Sequence, residues 1–277
     1  MLKIYKLLLF ALLFTGAISF VSAASIKIIE PYNATIGNNG SIYLGRVGPG
    51  QPFYITALSA TQNSSGTTIV RGWNEMNVTH IPKGWVVTNS SLNTQYISVE
   101  ITPAANASTS EYAFNVIAQN LGNYSKLGNV MFTAYINVTP DVFTLDVYPT
   151  SISTGPGEPA DIYVTINNTG VSDSPFYIYA SKLPAWNRTE QVIALHQNIK
   201  TFVYPVYENE PGAYVANVSV VSSSSPLVKA YHNVNLTVIA SVPNDYQAIG
   251  DGSIGFPIIY EPIYAIMYLI NVIARMA

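Results

Sequence analysis

Between Asp141 and Ala240 apolar residues return at every second position, broken by clusters of Gly, Pro, Asn and Ser, the period of half-buried strands. Phe143, Leu145 and Val147 form a first inward set, Ile162, Val164 and Ile166 a second, Phe176 and Ile178 a third, and Val192 and Ala194 or their neighbours a fourth. Phe202, Tyr204 and Val206 follow, then Tyr214, Ala216, Val218 and Val220, and last Val234, Leu236 and Val238. Pro205 has no backbone donor, so the strand that carries it belongs on a sheet edge. Seven such strands in about 100 residues, with turns between them and no helical period, predict an immunoglobulin-like antiparallel sandwich.

The same pattern begins earlier. STGPGEPADIYVTINNTG, from Ser153 to Gly170, is a turn, a strand and a second turn, and VGPGQPFYITAL, from Val47 to Leu58, repeats its first half. Gly48, Pro49, Gly50 and Pro52 answer to Gly155, Pro156, Gly157 and Pro159. Further matches keep the order: Pro82 and Trp85 with Pro184 and Trp186, then Tyr112, Asn115 and Val116 with Tyr214, Asn217 and Val218. YINVTP, ending at Pro140, answers to VNLTVI, ending at Ile239. An offset near 100 residues is the size of a sandwich and too long for a solenoid repeat. Residues 24–140 and 141–240 are therefore expected to be two tandem sandwiches of an all-β chain. The first shows short apolar stretches at Ile26–Ile29 and Ser41–Val47, then inward sets at Phe53, Ile55 and Ala57, at Ile97, Val99 and Ile101, at Tyr112, Phe114 and Val116, and at Phe132, Ala134, Ile136 and Val138. Its middle, through Trp73, His80 and Trp85, is less regular. Thr139-Pro140-Asp141 joins the two almost directly, which favours a rod.

The ends differ from this body. Lys3 and Lys6 precede the run LLLFALLFTGAISF and the small-residue site Val21-Ser22-Ala23, which reads as a signal peptide, residues 1–23, removed after Ala23. Residues 241–253 are polar and turn-rich, a linker, and residues 254–277 are apolar. The 21 residues from Ile254 to Ala274 would span about 31 Å as a helix, the thickness of a bilayer core. IYAIMYLINVIA is apolar around the whole helix except at Asn271, which disfavours an interfacial helix. Glu261, Pro257 and Pro262 stand against a span, but all three fall in its outer third. A C-terminal transmembrane anchor is expected, with Ala277 on the cytoplasmic side and the sandwiches outside; docking of the tail on protein is the alternative.

Charge narrows the picture. The formal charge of −3 becomes −5 once Lys3 and Lys6 leave with the leader, and charged residues are 10% of the chain, so there is no basic face for nucleic acid. Solubility must rest on hydroxyls and amides, or on what is attached to them. Asn-X-Ser/Thr occurs at Asn33, Asn39, Asn63, Asn77, Asn89, Asn106, Asn123, Asn137, Asn167, Asn187, Asn217 and Asn235. With 24 asparagines and 46 serines or threonines among 277 residues, chance gives about four such sites, against twelve present. Strand phase also puts Asn137, Asn217 and Asn235 on the solvent side. These twelve are candidate glycosylation sites. Cysteine is absent, which leaves core packing as the main source of stability.

Candidate chemistry is sparse. His80, His196 and His232 stand alone without a second metal ligand at a useful spacing, and neither a nucleophile elbow nor a phosphate loop is present. Glu208 with Glu210, and Asp245 with Asp251, lack the ordered spacing of a calcium loop and read as solvated turns. Trp73, Trp85 and Trp186, with 20 tyrosines, could stack on sugars, but Trp85 and Trp186 fall at equivalent places and read better as core. No cofactor or metal is expected.

PGEPADIYVTINNTG, the Pro184-Ala185-Trp186 segment, the Pro-Gly-Ala-Tyr turn and the closing VNLTV strand together resemble immunoglobulin-like modules of the cell-adhesion-related (CARDB-like) type. Such modules are common in archaeal and bacterial surface and S-layer-associated proteins. The resemblance covers residues 141–240 directly and 47–140 through the internal repeat. It implies a non-enzymatic, glycosylated envelope protein at the cell surface: a spacer, adhesion unit or S-layer component meeting other envelope proteins or surface glycans. A carbohydrate-binding module or accessory subunit of a surface enzyme is the alternative.

Overall fold

The computed structural model describes residues 25–62, 68–69, 72–89, 95–121, 128–185 and 187–240. The expected signal peptide and its cleavage site at Ala23, the 241–253 linker and the apolar tail lie outside these residues, as do Asn63, Asn123 and Trp186. Among the described residues all regular structure is strand, and no helix is long and apolar enough to cross a membrane.

The first eleven strands are β1 (Ser25–Glu30), β2 (Ala34–Gly37), β3 (Gly40–Val47), β4 (Phe53–Leu58), β5 (Thr61–Gln62), β6 (Thr68–Ile69), β7 (Glu75–Thr79), β8 (Val86–Asn89), β9 (Tyr96–Thr102), β10 (Ser110–Gln119) and β11 (Val130–Val138). They form a five-stranded sheet β2-β1-β4-β9-β8, a four-stranded sheet β3-β11-β10-β7 and the small hairpin β5-β6. Eight more follow: β12 (Phe143–Tyr148), β13 (Ser151–Thr154), β14 (Ala160–Asn168), β15 (Phe176–Ser181), β16 (Glu190–Val192), β17 (Asn198–Val206), β18 (Gly212–Ser222) and β19 (Lys229–Val238). These make the sheets β12-β14-β17 and β13-β19-β18-β15-β16.

Burial follows the alternation. Ile162, Val164 and Ile166 on β14, and Ala216, Val218 and Val220 on β18, are closed to solvent and face each other across the second pair of sheets. Phe53, Ile55 and Ala57 do the same against Phe114, Val116, Phe132 and Ala134 in the first pair. One cluster of buried residues runs from Ile26 to Val138 with Val171 added, the other from Val142 to Val238. This sheet-on-sheet arrangement, with inward residues from both layers interdigitating, is an immunoglobulin-like sandwich. β17, with Pro205, lies at the edge of its sheet, where a missing donor costs no ladder bond.

Two expectations need correction. The second sandwich has eight strands, because its first strand is split: β12 pairs with β14 in one sheet, and β13 crosses to pair with β19 in the other. The sandwiches are also not wholly antiparallel, since β13 runs parallel to β19, and β3 likewise runs parallel to β11. Pro149 after β12 marks the crossing in the second sandwich, because a proline cannot continue the donor side of a ladder; in the first, β2 still pairs with β1 and the chain changes sheets between β2 and β3. The second half of a strand that changes sheets without reversing then meets the last strand of the sandwich in the same direction.

Candidate functional site

Ten of the twelve glycosylation candidates fall within the described residues. Asn33, Asn39, Asn89, Asn106 and Asn235 are exposed. Asn39 sits in the turn between β2 and β3 with φ 62°, a conformation asparagine tolerates better than other side chains. Asn77, Asn137, Asn167 and Asn217 are half-buried among their neighbours but alternate with buried residues, so they stand on outer sheet faces. Asn217 and Asn235 lie diagonally across β18 and β19, where Asn217 faces Asn233 and Val215 faces Asn235. The Asn217 amide donates to Asn233 Oδ1 at 3.0 Å, and the Asn89 amide donates to Asn77 Oδ1 at 2.6 Å.

Asn187 is different. It is 7% exposed, its Nδ2 donates to the Ala185 and Tyr207 carbonyls at 3.1 and 3.3 Å, and its Oδ1 accepts the Tyr207 N–H at 3.1 Å. Such a side chain holds two loops together, and its nitrogen has no free direction for a glycan.

The carboxylate of Glu208 is not in a solvated turn, contrary to the reading of the sequence. It is 1% exposed and accepts backbone N–H groups from Ala185 and Asn209 at 2.8 Å and from Glu210 at 3.4 Å. Three donors aimed at one carboxylate satisfy it within the fold; they also occupy the oxygens a cation would need. Glu210 is exposed, and Asp245 and Asp251 lie outside the described residues. No group of three potential metal ligands gathers among the described residues. His80 is exposed near Asn115, His196 pairs with Asp173 at 2.7 Å, and His232 lies 3.0 Å from the Asn233 carbonyl. The three histidines share no partner.

Both described tryptophans are core. Trp73 is closed to solvent, and its indole N–H donates to the Gly128 carbonyl at 3.2 Å. Trp85 packs on Tyr112 and Phe114 with ring centroids 5.2 and 6.1 Å apart. Neither offers a face for a sugar. Tyr204 is also fully buried; its hydroxyl donates to the Arg188 carbonyl and accepts the Ala180 N–H at 3.0 Å. Burial pushes its pKa above the ordinary phenol value.

The joint between the sandwiches is a feature the sequence did not reveal. Gln51 is 1% exposed; its Oε1 accepts the Gly48 N–H at 3.0 Å, and its Nε2 donates to Ser222 Oγ, 171 residues away, at 2.9 Å. The Val171 N–H donates to the Arg46 carbonyl at 2.9 Å, and the Val171 side chain joins the first core cluster. Gly48 is needed there, because a Cβ on it would stand 2.3 Å from Val228 Cγ2. The signal was present in part, as a Gly-Pro-Gly turn, but nothing local points to Ser222 or Val228.

No protein-family model and no curated protein matches the chain. Among solved structures it is similar to a chimeric titin Z1Z2 functionalised with an exogenous peptide from decorin, at 13% identity and a TM-score of 0.36, covering 80% of this chain and 100% of that one. It is similar to domains 5–6 of the S-layer protein SbsC at 12% identity and a TM-score of 0.27, covering 79% and 99%. Fibronectin(III)-like modules of Clostridium thermocellum CbhA match at 12% identity and a TM-score of 0.26, covering 78% and 94%. All three fall below a TM-score of 0.5, so the fold assignment rests on the sheets themselves.

Proposed function

We propose that this chain is a non-enzymatic glycoprotein of the cell envelope, two immunoglobulin-like modules held at the surface as a spacer, adhesion unit or S-layer-associated component. The observation that supports it best is the distribution of sequons: nine of the ten sequon asparagines among the described residues are exposed or on outer faces. The packed joint through Gln51 and Val171 adds to it, because a spacer works by holding its modules in line. The leader ending at Ala23 and the apolar tail at 254–277 support export followed by anchoring, with the modules outside. The partners on this reading are the membrane, through the tail, and other envelope proteins or surface glycans. The carbohydrate-binding alternative loses Trp73 and Trp85 to the core.

The deciding experiment is intact-mass and glycopeptide analysis of protein from its native cells. Glycans at several exposed sequons and none at Asn187 are expected, and a mass equal to the bare mature chain overturns the glycoprotein reading. A chain ending at Ser253 should be released to the medium while the full chain stays with membranes. Equal release of both removes the anchor. A hydrolase or transferase activity that copurifies with the protein and is abolished by one substitution would overturn the non-enzymatic assignment.

A further inference from the structure

The two sandwiches close the same sheet edge differently. In the first, β9 is flanked by β4 on one side and β8 on the other, with Val87 opposite Ile101 and Asn89 opposite Val99. In the second, the strand that would do the same, β16, pairs with β15 in the other sheet. β17, the counterpart of β9, therefore has β14 on one side and no described strand on the other.

That leaves nine residues, Asn198–Val206, with an unpaired side, a template for strand addition unless charge, proline or cover blocks it. The block here is light. Lys200 is the one charge on the strand, and Ile199 and Val203 are 63% and 50% exposed. Pro205 pairs with Asp161 in the ladder without an N–H to donate, so its nitrogen belongs on the free side. Alternation then turns the N–H and C=O of Ile199, Thr201 and Val203 the same way, away from β14.

We propose that this edge pairs antiparallel with the same edge of a second copy of the chain, across a two-fold axis at Thr201, so that two three-stranded sheets become one of six strands. The strand is complementary to itself in that register. Thr201 meets Thr201 of the second copy, Ile199 meets its Val203, and Lys200 meets its Phe202, so no like charges stand directly opposite. Lys200 already lies 5.3 Å from the centre of its own Phe202 ring, and the pairing offers it a second one. The outer row Tyr148, Tyr163 and Val203, in line across β12, β14 and β17, continues into Ile199 of the second copy. The ladder stops at Asn198 opposite Tyr204, because Gln197 turns away with φ 52°.

The chain has no cysteine, so Thr201→Cys in the full chain supplies a single thiol on the axis, within disulfide reach of its mate. Under mild oxidation it should give a disulfide-linked dimer, while Tyr231→Cys, on the exposed face of the opposite sheet, should not. Thr201→Lys, which sets two ammonium groups face to face, should weaken the dimer roughly fivefold or more in sedimentation. Cross-linking of Thr201→Cys no faster than Tyr231→Cys, whether because the edge stays bare or because another polypeptide covers it, overturns the proposal. Sedimentation of the unsubstituted chain as a monomer at its highest soluble concentration does so too.

Discussion

In the first sandwich the Gly48 N–H is held by the side chain of Gln51 at 3.0 Å; in the second, the Gly155 N–H is held by Glu158 at 2.8 Å. The main chain closes both turns alike, Gln51 N–H to Gly48 O at 3.0 Å and Glu158 N–H to Gly155 O at 3.2 Å. The exits match as well: the Thr139 N–H donates to the Val47 carbonyl and the Ile239 N–H to the Thr154 carbonyl, both at 2.9 Å. Only the outward partner differs. An amide can accept from its own turn and donate to a neighbour, as Gln51 does to Ser222; an ionised carboxylate only accepts. One local motif thus serves as a joint in one copy and as a plain turn in the other, and a single functional group separates the two uses.

The largest way to break the likeness is to give the first sandwich a residue of the second. Phe53 follows Pro52 as Ala160 follows Pro159, and both are buried. Phe53→Ala should destabilise the first sandwich by about 3–5 kcal/mol through lost burial and the cavity left behind. Chemical denaturation followed by a probe in each sandwich should show the first unfolding at lower denaturant while the second keeps its midpoint. A common shift of both would mean that the joint makes them one cooperative unit.

Glu208 tests a feature seen only in the second copy. Glu208→Ala strands three backbone donors in a nearly closed site and should cost about 3 kcal/mol. Full stability of the variant would show that water reaches those donors.

The alternation carried most of the architecture: Ile162, Val164 and Ile166 had to share a face, and Pro205 had to lie on an edge. What could not be read were choices made between elements. SIST at β13 has one apolar residue, Ile152, too little to announce a strand that crosses to the opposite sheet. β16 has three residues, and whether so short a strand joins one sheet or the other depends on packing over a long range in sequence. Glu208 looked solvated because acidic residues usually are; two of its donors are the next two residues, but the third, Ala185, reaches it only after the 185 loop folds back. Among the sequons the motif is the same at Asn187 as elsewhere; burial alone sets it apart.

Gly48→Ala addresses the joint itself. Its Cβ would press on Val228 Cγ2 at 2.3 Å and on Gln51 Oε1 at 2.6 Å, so the sandwiches must separate or the turn must shift, a strain of about 1–3 kcal/mol. The expected readout is faster proteolysis near Pro140 with each sandwich still folded. Unchanged proteolysis would show that the joint gives way at no cost.

Tyr204 lies opposite Ile162, where the first sandwich has Val99 opposite Ile55. Tyr204→Phe removes a hydroxyl that ties β17 to Ala180 and Arg188 and should cost about 1–2 kcal/mol. It should also flatten the alkaline limb of stability. Because burial raises the pKa in the fold, the folded state holds the proton more tightly. Tyr204's contribution is complete below the unfolded value and is lost as pH climbs from about 10 through the folded one. A pH profile identical to that of the unsubstituted chain would place the alkaline transition elsewhere.

The smallest and most discriminating test is a reciprocal exchange. Gln51→Glu keeps the acceptor for Gly48 but removes the donor to Ser222 and sets a carboxylate where Gln51 is 1% exposed. Either the group ionises in a nearly closed site with only the Gly48 N–H to set against its charge or it takes up a proton, and both cost free energy, about 1–2 kcal/mol. Glu158→Gln keeps the acceptor for Gly155 in a half-buried turn and should change stability by less than about 0.5 kcal/mol. The asymmetry carries the argument. Since protonation of the introduced carboxyl group would restore a donor toward Ser222, the Gln51→Glu defect should shrink as pH falls, whereas Glu158→Gln should show no matching recovery. Equal effects of the two exchanges would mean that the covering of the first turn, rather than the amide of Gln51, makes the joint.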